Sequence, residues 1–102
     1  MSVFQQIDPE NYVFETDCFF AIYDRFPVSP GHLLIISKTL KLGYFSLEEA
    51  EQNDLNIAIK CGKKEVEKHH SPSGYNIGMN CGETAGQTIF HCHVHLIPRR
   101  KG

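Results

Sequence analysis

The stretch from Thr88 to Pro98, TIFHCHVHLIP, places histidine at 91, 93 and 95 with Cys92 and Val94 between them. A period of two is the period of a β-strand, in which successive side chains point to opposite faces. The segment therefore reads as the last strand of the chain. His91, His93 and His95 share one face, and Phe90, Cys92, Val94 and Leu96 share the other, which reads as core. Packing alone does not require three imidazoles in a row, so the row is the candidate functional feature.

The elements before it are short. NYVFE (11–15) and FFAIY (19–23) are aromatic and β-branched and read as two strands around a turn at Thr16-Asp17. RFPVSPG, with two prolines and a glycine, is a loop. HLLIIS (32–37) is a continuous apolar run of strand length, expected to be buried. One long helix follows. Ser46 with Glu49 has the form of a capping box, and Leu47, Ala50, Leu55, Ala58, Gly62 and Val66 form an imperfect helical stripe to about residue 68. Glu48, Glu49 and Glu51 sit at its positive end and Lys63, Lys64 and Lys68 at its negative end, as the helix dipole prefers. Gly62 in mid-helix costs about 1 kcal/mol against alanine and points to close packing there, with a second subunit as one candidate. YNIGMN (75–80) alternates like a strand, and CGETAGQ is a loop. Strands, helix, strands with tight connections fit an antiparallel α+β fold better than a parallel βαβ one.

With 102 residues, one domain spanning 1–102 is expected, burying roughly two-thirds of its unfolded surface. A formal charge of −2 implies no strong polyanion-binding surface, and no nucleic acid polymer is expected as a partner. The basic cluster Arg99, Arg100, Lys101 reads equally as a solvated tail or as a phosphate contact. Cys18, Cys61, Cys81 and Cys92 form no C-x-x-C pair. Charges across residues 1–15 leave no secretory leader, so reduced cysteines and a cytoplasmic location are expected. No stretch approaches the roughly 20 apolar residues of a membrane span.

Two chemistries compete for the histidine row. Adjacent rings stand about 7 Å apart at Cα and the outer two about 13 Å, so three from one straight strand do not converge on a zinc ion with bonds of about 2.0–2.1 Å. A pair with His32, His69 or His70 as third ligand is the metal alternative. Nucleophilic catalysis at phosphorus is favoured, because neutral imidazole is a good nucleophile near pH 7. Gly82 and Gly86 in the preceding loop let backbone N–H groups approach an anion, and Gln87 and Thr88 add side-chain donors. His69-His70 at the helix end reads as surface.

GQTIFHCHVHLIPR resembles the signature of the histidine triad family, with Cys92, Val94, Leu96 and Ile97 in its apolar places. The preceding GETAGQT and the segment AIYDRFPVSPGHLLIISK (21–38) resemble the family as well. The resemblance implies an α+β fold with about five antiparallel strands, one long helix and a short N-terminal helix, in a homodimer whose sheets join. It also implies a nucleotide substrate, with His93 attacking the α-phosphorus to form a nucleotidyl-histidine. His95 would contact a phosphate oxygen or the leaving side. His91 would help orient His93, with His32 behind it. Gln87, Thr88, Gly86 and Asn80 would bind phosphate, Asp24 the ribose, and Ile22, Ile7 and Phe4 the base. No resident metal or cofactor is expected, magnesium entering only with substrate phosphates.

Residue-level alternatives stand beside these roles: Asp24 as a turn cap, His32 as a satisfied strand-edge histidine, Asn80 as a strand end. PVSPGH with the triad and IPRR resembles the dinucleoside polyphosphate hydrolases of the fragile histidine triad branch. The nucleoside phosphoramidases continue further past the triad than the seven residues seen here. A nucleotide hydrolase is thus the leading expectation. The alternatives are a purine nucleoside phosphoramidase and a nucleotide-binding regulator with incidental turnover.

Overall fold

The computed structural model describes residues 2–101. Its five strands are β1 (Phe14–Glu15), β2 (Phe19–Tyr23), β3 (Leu33–Ser37), β4 (Gly74–Gly78) and β5 (His93–Arg99), with one helix, α1 (Glu49–His69), between β3 and β4. They form a single antiparallel sheet in the order β1-β2-β3-β5-β4, the expected α+β architecture. The expected N-terminal helix is a 3-10 turn at Val3–Gln6, capped by Ser2 and followed by a second turn at Pro9–Asn11. Among the described residues no helix is long and apolar enough to cross a membrane.

The continuous apolar run of β3 is explained by cover on both faces. Leu33 and Ile35 join Phe19, Ala21, Val94 and Leu96 in the core under α1. Leu34 and Ile36 join Phe20 and Phe4 on the opposite face, under the N-terminal turns. Within α1, Leu55, Ala58, Gly62 and Val66 are buried at helical spacing. A Cβ at Gly62 would stand 2.8 Å from Leu96 Cδ2, so the glycine brings the helix onto its own sheet. The second subunit considered from the sequence is not needed to account for it.

Four boundaries differ from expectation, the plainest being β4, which runs Gly74–Gly78 rather than 75–80. The helix starts later: Tyr44–Ser46 is a 3-10 turn, Leu47 is buried ahead of the helix, and Glu51 rather than Glu49 accepts the capping N–H, from Glu48 (2.9 Å). Ala50 is exposed as a result. The first strand shortens to two residues, although Val13 N–H still reaches Ala21 O (2.7 Å). The last strand begins at His93, because His91 N–H turns back onto Ile89 O (2.9 Å) and Cys92 N–H bonds Lys41 O (2.7 Å). Phe90, expected in the core, lies before this bend and is 48% exposed. Pro98 is tolerated in a central strand because β3 pairing ends at Leu33–Leu96, two residues short of it.

Candidate active site

The three histidines differ in backbone setting but share one side of the sheet, because the Phe4 ring packs edge-on against both His91 (5.6 Å between centroids) and His93 (5.1 Å). The His93 and His95 rings lie 5.3 Å apart. His91 is 1% exposed, while His93 and His95 are half-buried.

One hydrogen bond per ring dictates where each proton sits, since a neutral imidazole has one donor and one acceptor nitrogen. His93 Nδ1 lies 2.7 Å from His91 O. A carbonyl only accepts, so the proton is on Nδ1 and the lone pair is on Nε2. His91 Nε2 lies 2.7 Å from Ser37 O and donates to it, leaving Nδ1 buried with no hydrogen-bond partner among the described residues.

His32 is set from the other direction. Val28 N–H donates to its Nδ1 (3.1 Å), so its proton is on Nε2. That proton faces His95 Nδ1 at 2.9 Å and Asp24 Oδ2 at 3.4 Å. His95 Nδ1 must then accept, and His95 carries its proton on Nε2. The resemblance put His32 behind the His91–His93 pair; it packs instead on His95, with ring centroids 5.1 Å apart.

Burial, first of all, holds His32, His91 and His95 below the ordinary value of 6.5. At His91 and His95 the neighbouring His93 adds to this, and at His32 Asp24 opposes it. All three rings are therefore neutral at pH 7.

Asp24, His32 and His95 also bring three potential metal-ligand atoms within 4.8 Å of one another. Metal-bound imidazoles donate their other ring N–H to an acceptor. At His32 the other nitrogen instead receives Val28 N–H. Coordination through Nε2 would move the proton onto Nδ1, against that donor. The three groups are better matched as a hydrogen-bond chain than as a cage. Neither His69 nor His70 joins them: His69 is exposed beside Glu65, and the His70 ring lies against Gly31.

The remaining expected residues fall into two groups. Asp24 caps the turn through Oδ1, which accepts Phe26 N–H (2.9 Å), as the turn-cap reading expects, and turns Oδ2 toward His32 Nε2 (3.4 Å). Ile22 and Ile7 are half-buried against the Phe4 cluster, where an apolar wall forms. Gly86, Thr88 and Asn80 are exposed beside the loop, with Asn80 Nδ2 donating to Gly86 O (3.3 Å) and Gly86 at φ +92°.

Gln87 differs from its expected role. Its Oε1 accepts Gly82 N–H (2.8 Å), and its Nε2 donates to Leu42 O (2.7 Å) and Ile89 O (3.0 Å). The side chain is 5% exposed and shapes the loop from inside; a phosphate contact would require breaking one of these bonds. A cavity of about 540 Å³ is lined by Phe4, Tyr12, Phe20, Lys38 and His91 among others, but by neither His93 nor His95. The groups missing from the sequence reading are backbone ones, Val28 N–H and Ser37 O, and no residue type marks them.

A model of the HIT domain matches residues 5–102. The chain is 35% identical over 88 residues to a bis(5'-adenosyl)-triphosphatase of Dictyostelium discoideum, covering 86% of this chain and 59% of that protein. It is 40% identical over 75 residues to an asymmetrical bis(5'-nucleosyl)-tetraphosphatase of Schizosaccharomyces pombe, covering 74% and 41%. The chain thus spans about half the length of these two curated relatives. A solved member of the HIT family from Bacillus subtilis superposes with a TM-score of 0.86 at 30% identity, over 96% of this chain and 72% of that one.

Proposed function

The chain belongs to the histidine triad (HIT) family, and from that premise we propose that it is a nucleotide hydrolase acting at the α-phosphate of dinucleoside polyphosphates. The observation that carries this reading is the free lone pair on His93 Nε2, held in place by the Nδ1–H bond to His91 O (2.7 Å). His93 Nε2 attacks the α-phosphorus, forming an N–P bond as the P–O bond to the leaving polyphosphate breaks. The ring becomes an imidazolium whose Nδ1–H still points at the His91 carbonyl, which stabilises the positive charge. Water then attacks phosphorus, the N–P bond breaks, its electron pair returns to Nε2, and a water proton passes to solvent. His95 offers Nε2–H to a phosphate oxygen throughout. Asp24 Oδ2 faces the ribose hydroxyls, and Ile22, Ile7 and Phe4 face the base.

The protonation of His95 favours an anhydride over a phosphoramidate. A neutral imidazole can donate a hydrogen bond, but it cannot give up its only proton without becoming an imidazolate. A leaving phosphate, with a pKa of about 6 for its last proton, departs without being protonated; a leaving amine does not. The four cysteines are free thiols, consistent with a reducing, cytoplasmic setting. Strand β4 pairs on one side only, which leaves an edge for the homodimer that the resemblance implied. No step requires a resident metal, and magnesium enters with the substrate.

The test is release of AMP from diadenosine tetraphosphate by the wild type and by His93→Ala, followed by chromatography with and without a chelator, magnesium being restored in a control. AMP from the wild type alone is expected. Turnover by His93→Ala, or turnover lost to the chelator and restored by zinc but not by magnesium, would sink the nucleophile. Faster cleavage of an adenosine phosphoramidate than of the polyphosphate would move the assignment to that class.

A further inference from the structure

The basic tail is the sequence feature that the reaction does not absorb. Arg99 Nε donates to Asn76 Oδ1 (2.7 Å) on β4. Arg100 reaches the loop before β3: Nη1 donates to Ser29 Oγ (2.9 Å) and Nη2 to Pro30 O (3.1 Å). That loop also carries Val28, whose N–H sets the His32 tautomer. It holds itself by few other bonds. His32 N–H reaches Ser29 O (3.1 Å), and Pro27 and Pro30 have no N–H to offer. Gly31 sits at φ +92°, where a Cβ would stand 2.9 Å from His70 Cδ2, so the far end of the loop is already pressed against the end of α1.

We propose that Arg100 is a positioning residue. It pins the 27–31 loop so that Val28 N–H stays on His32 Nδ1, and through His32 it keeps the proton of His95 on Nε2. The catalytic consequence rests on the function proposed above; the tautomer relation does not. The path has three links, each a single hydrogen bond: Arg100 to the loop, Val28 to His32 (3.1 Å), and His32 to His95 (2.9 Å). If Val28 N–H moves away, the His32 proton gains access to Nδ1, with the Asp24 Oδ2 contact (3.4 Å) alone still favouring Nε2. His32 Nε2 then accepts from His95, whose proton moves to Nδ1. His95 would then present a lone pair to the phosphate instead of a donor. Arg100 lies just past the C-terminal end of β5, the strand that carries His93 and His95, so one short segment supplies both the reacting rings and the clamp on their partner.

The experiment records the ring nitrogens of ¹⁵N-labelled protein in long-range ¹H–¹⁵N spectra for wild type, Arg100→Ala, Arg100→Lys and Ser29→Ala. In parallel, kcat and KM for diadenosine tetraphosphate are measured. The wild type is expected to show His32 and His95 each protonated on Nε2. Arg100→Ala is expected to give His95 as a mixture of tautomers, with kcat down roughly threefold to tenfold, in line with the net worth of one or two hydrogen bonds, and KM within about twofold. Lysine keeps a donor for one of the two acceptors and should recover part of the loss, and Ser29→Ala should resemble it. Unchanged His95 nitrogens in Arg100→Ala would overturn the proposal and leave Arg100 a solvated cation. A raised KM with unchanged kcat would overturn it in favour of a substrate contact. If the wild type hydrolyses no polyphosphate, the proposed reaction fails, and the His95 spectrum still decides the role of Arg100.

Discussion

The two faces of the sheet are built from the same strands and reach different ends. Under α1, Phe19, Ala21, Leu33, Ile35, Val94 and Leu96 are buried to 2% exposure or less, and Gly62 brings the helix within touching distance of Leu96. On the other face, Phe4, Phe20, Leu34 and Ile36 make a smaller apolar cluster, covered by two 3-10 turns and fringed by half-buried Ile7, Tyr12, Ile22 and Ile89. Here the alternate positions of the last segment are histidines, each tied by one bond to a carbonyl or to another ring. The first face is buried throughout and stabilises the chain. The second has incomplete cover, which leaves His93 and His95 half-buried rather than sealed.

The sharpest break of this contrast is His93→Ala. It should lower hydrolysis by more than about 10³ while changing folding stability by less than about 1 kcal/mol, measured by AMP release and urea denaturation. A large stability loss would mean that the histidine face is structural as well. On the helix face the effects should invert. Leu96→Ala removes a side chain 1% exposed and should cost about 2–5 kcal/mol, with kcat per folded molecule nearly unchanged. Gly62→Val forces a branched side chain where a Cβ already meets Leu96 Cδ2 at 2.8 Å; it should cost about 1–3 kcal/mol. Retention of the wild-type melting temperature by Gly62→Val would show that the helix stands further off the sheet.

A smaller effect separates the faces by pH. His32, His91 and His95 have folded values below the 6.5 of a free ring. As pH falls below 6.5, the unfolded chain takes up protons that the folded chain does not. Stability is therefore full above pH 6.5 and declines as pH falls from there toward the lower folded values. Glu51, whose capping bond to Glu48 N–H holds it below 4.5, adds a loss only at more acid pH. Denaturant midpoints between pH 7.5 and 4.5 should fall steadily; a flat profile over that interval would contradict the burial of neutral rings on the histidine face.

Much of this was legible in the residues. HLLIIS announces a strand covered on both faces, and the alternation at 91–95 announces histidines on one side of the sheet. The spacing of Leu55, Ala58, Gly62 and Val66 announces the helix and its buried stripe. These signals are local: period two and period 3.6 are properties of the chain's own geometry. The misread places are those where packing or backbone outside the local pattern intervened. Glu51 took the cap because Leu47 was drawn into the core. Phe90 was lost to the surface when the chain bent at His91, and Gln87 was turned inward by Gly82, Leu42 and Ile89.

The sequence alone determined which side chains are the candidates for chemistry, since only histidine offers a neutral nitrogen nucleophile near pH 7. The tertiary structure decided which nitrogen of each ring donates and which is left to accept. That choice rests on His91 O, Ser37 O and Val28 N–H. Every residue other than proline has the same N–H, and every residue the same carbonyl, so only their placement in space distinguishes these from the rest.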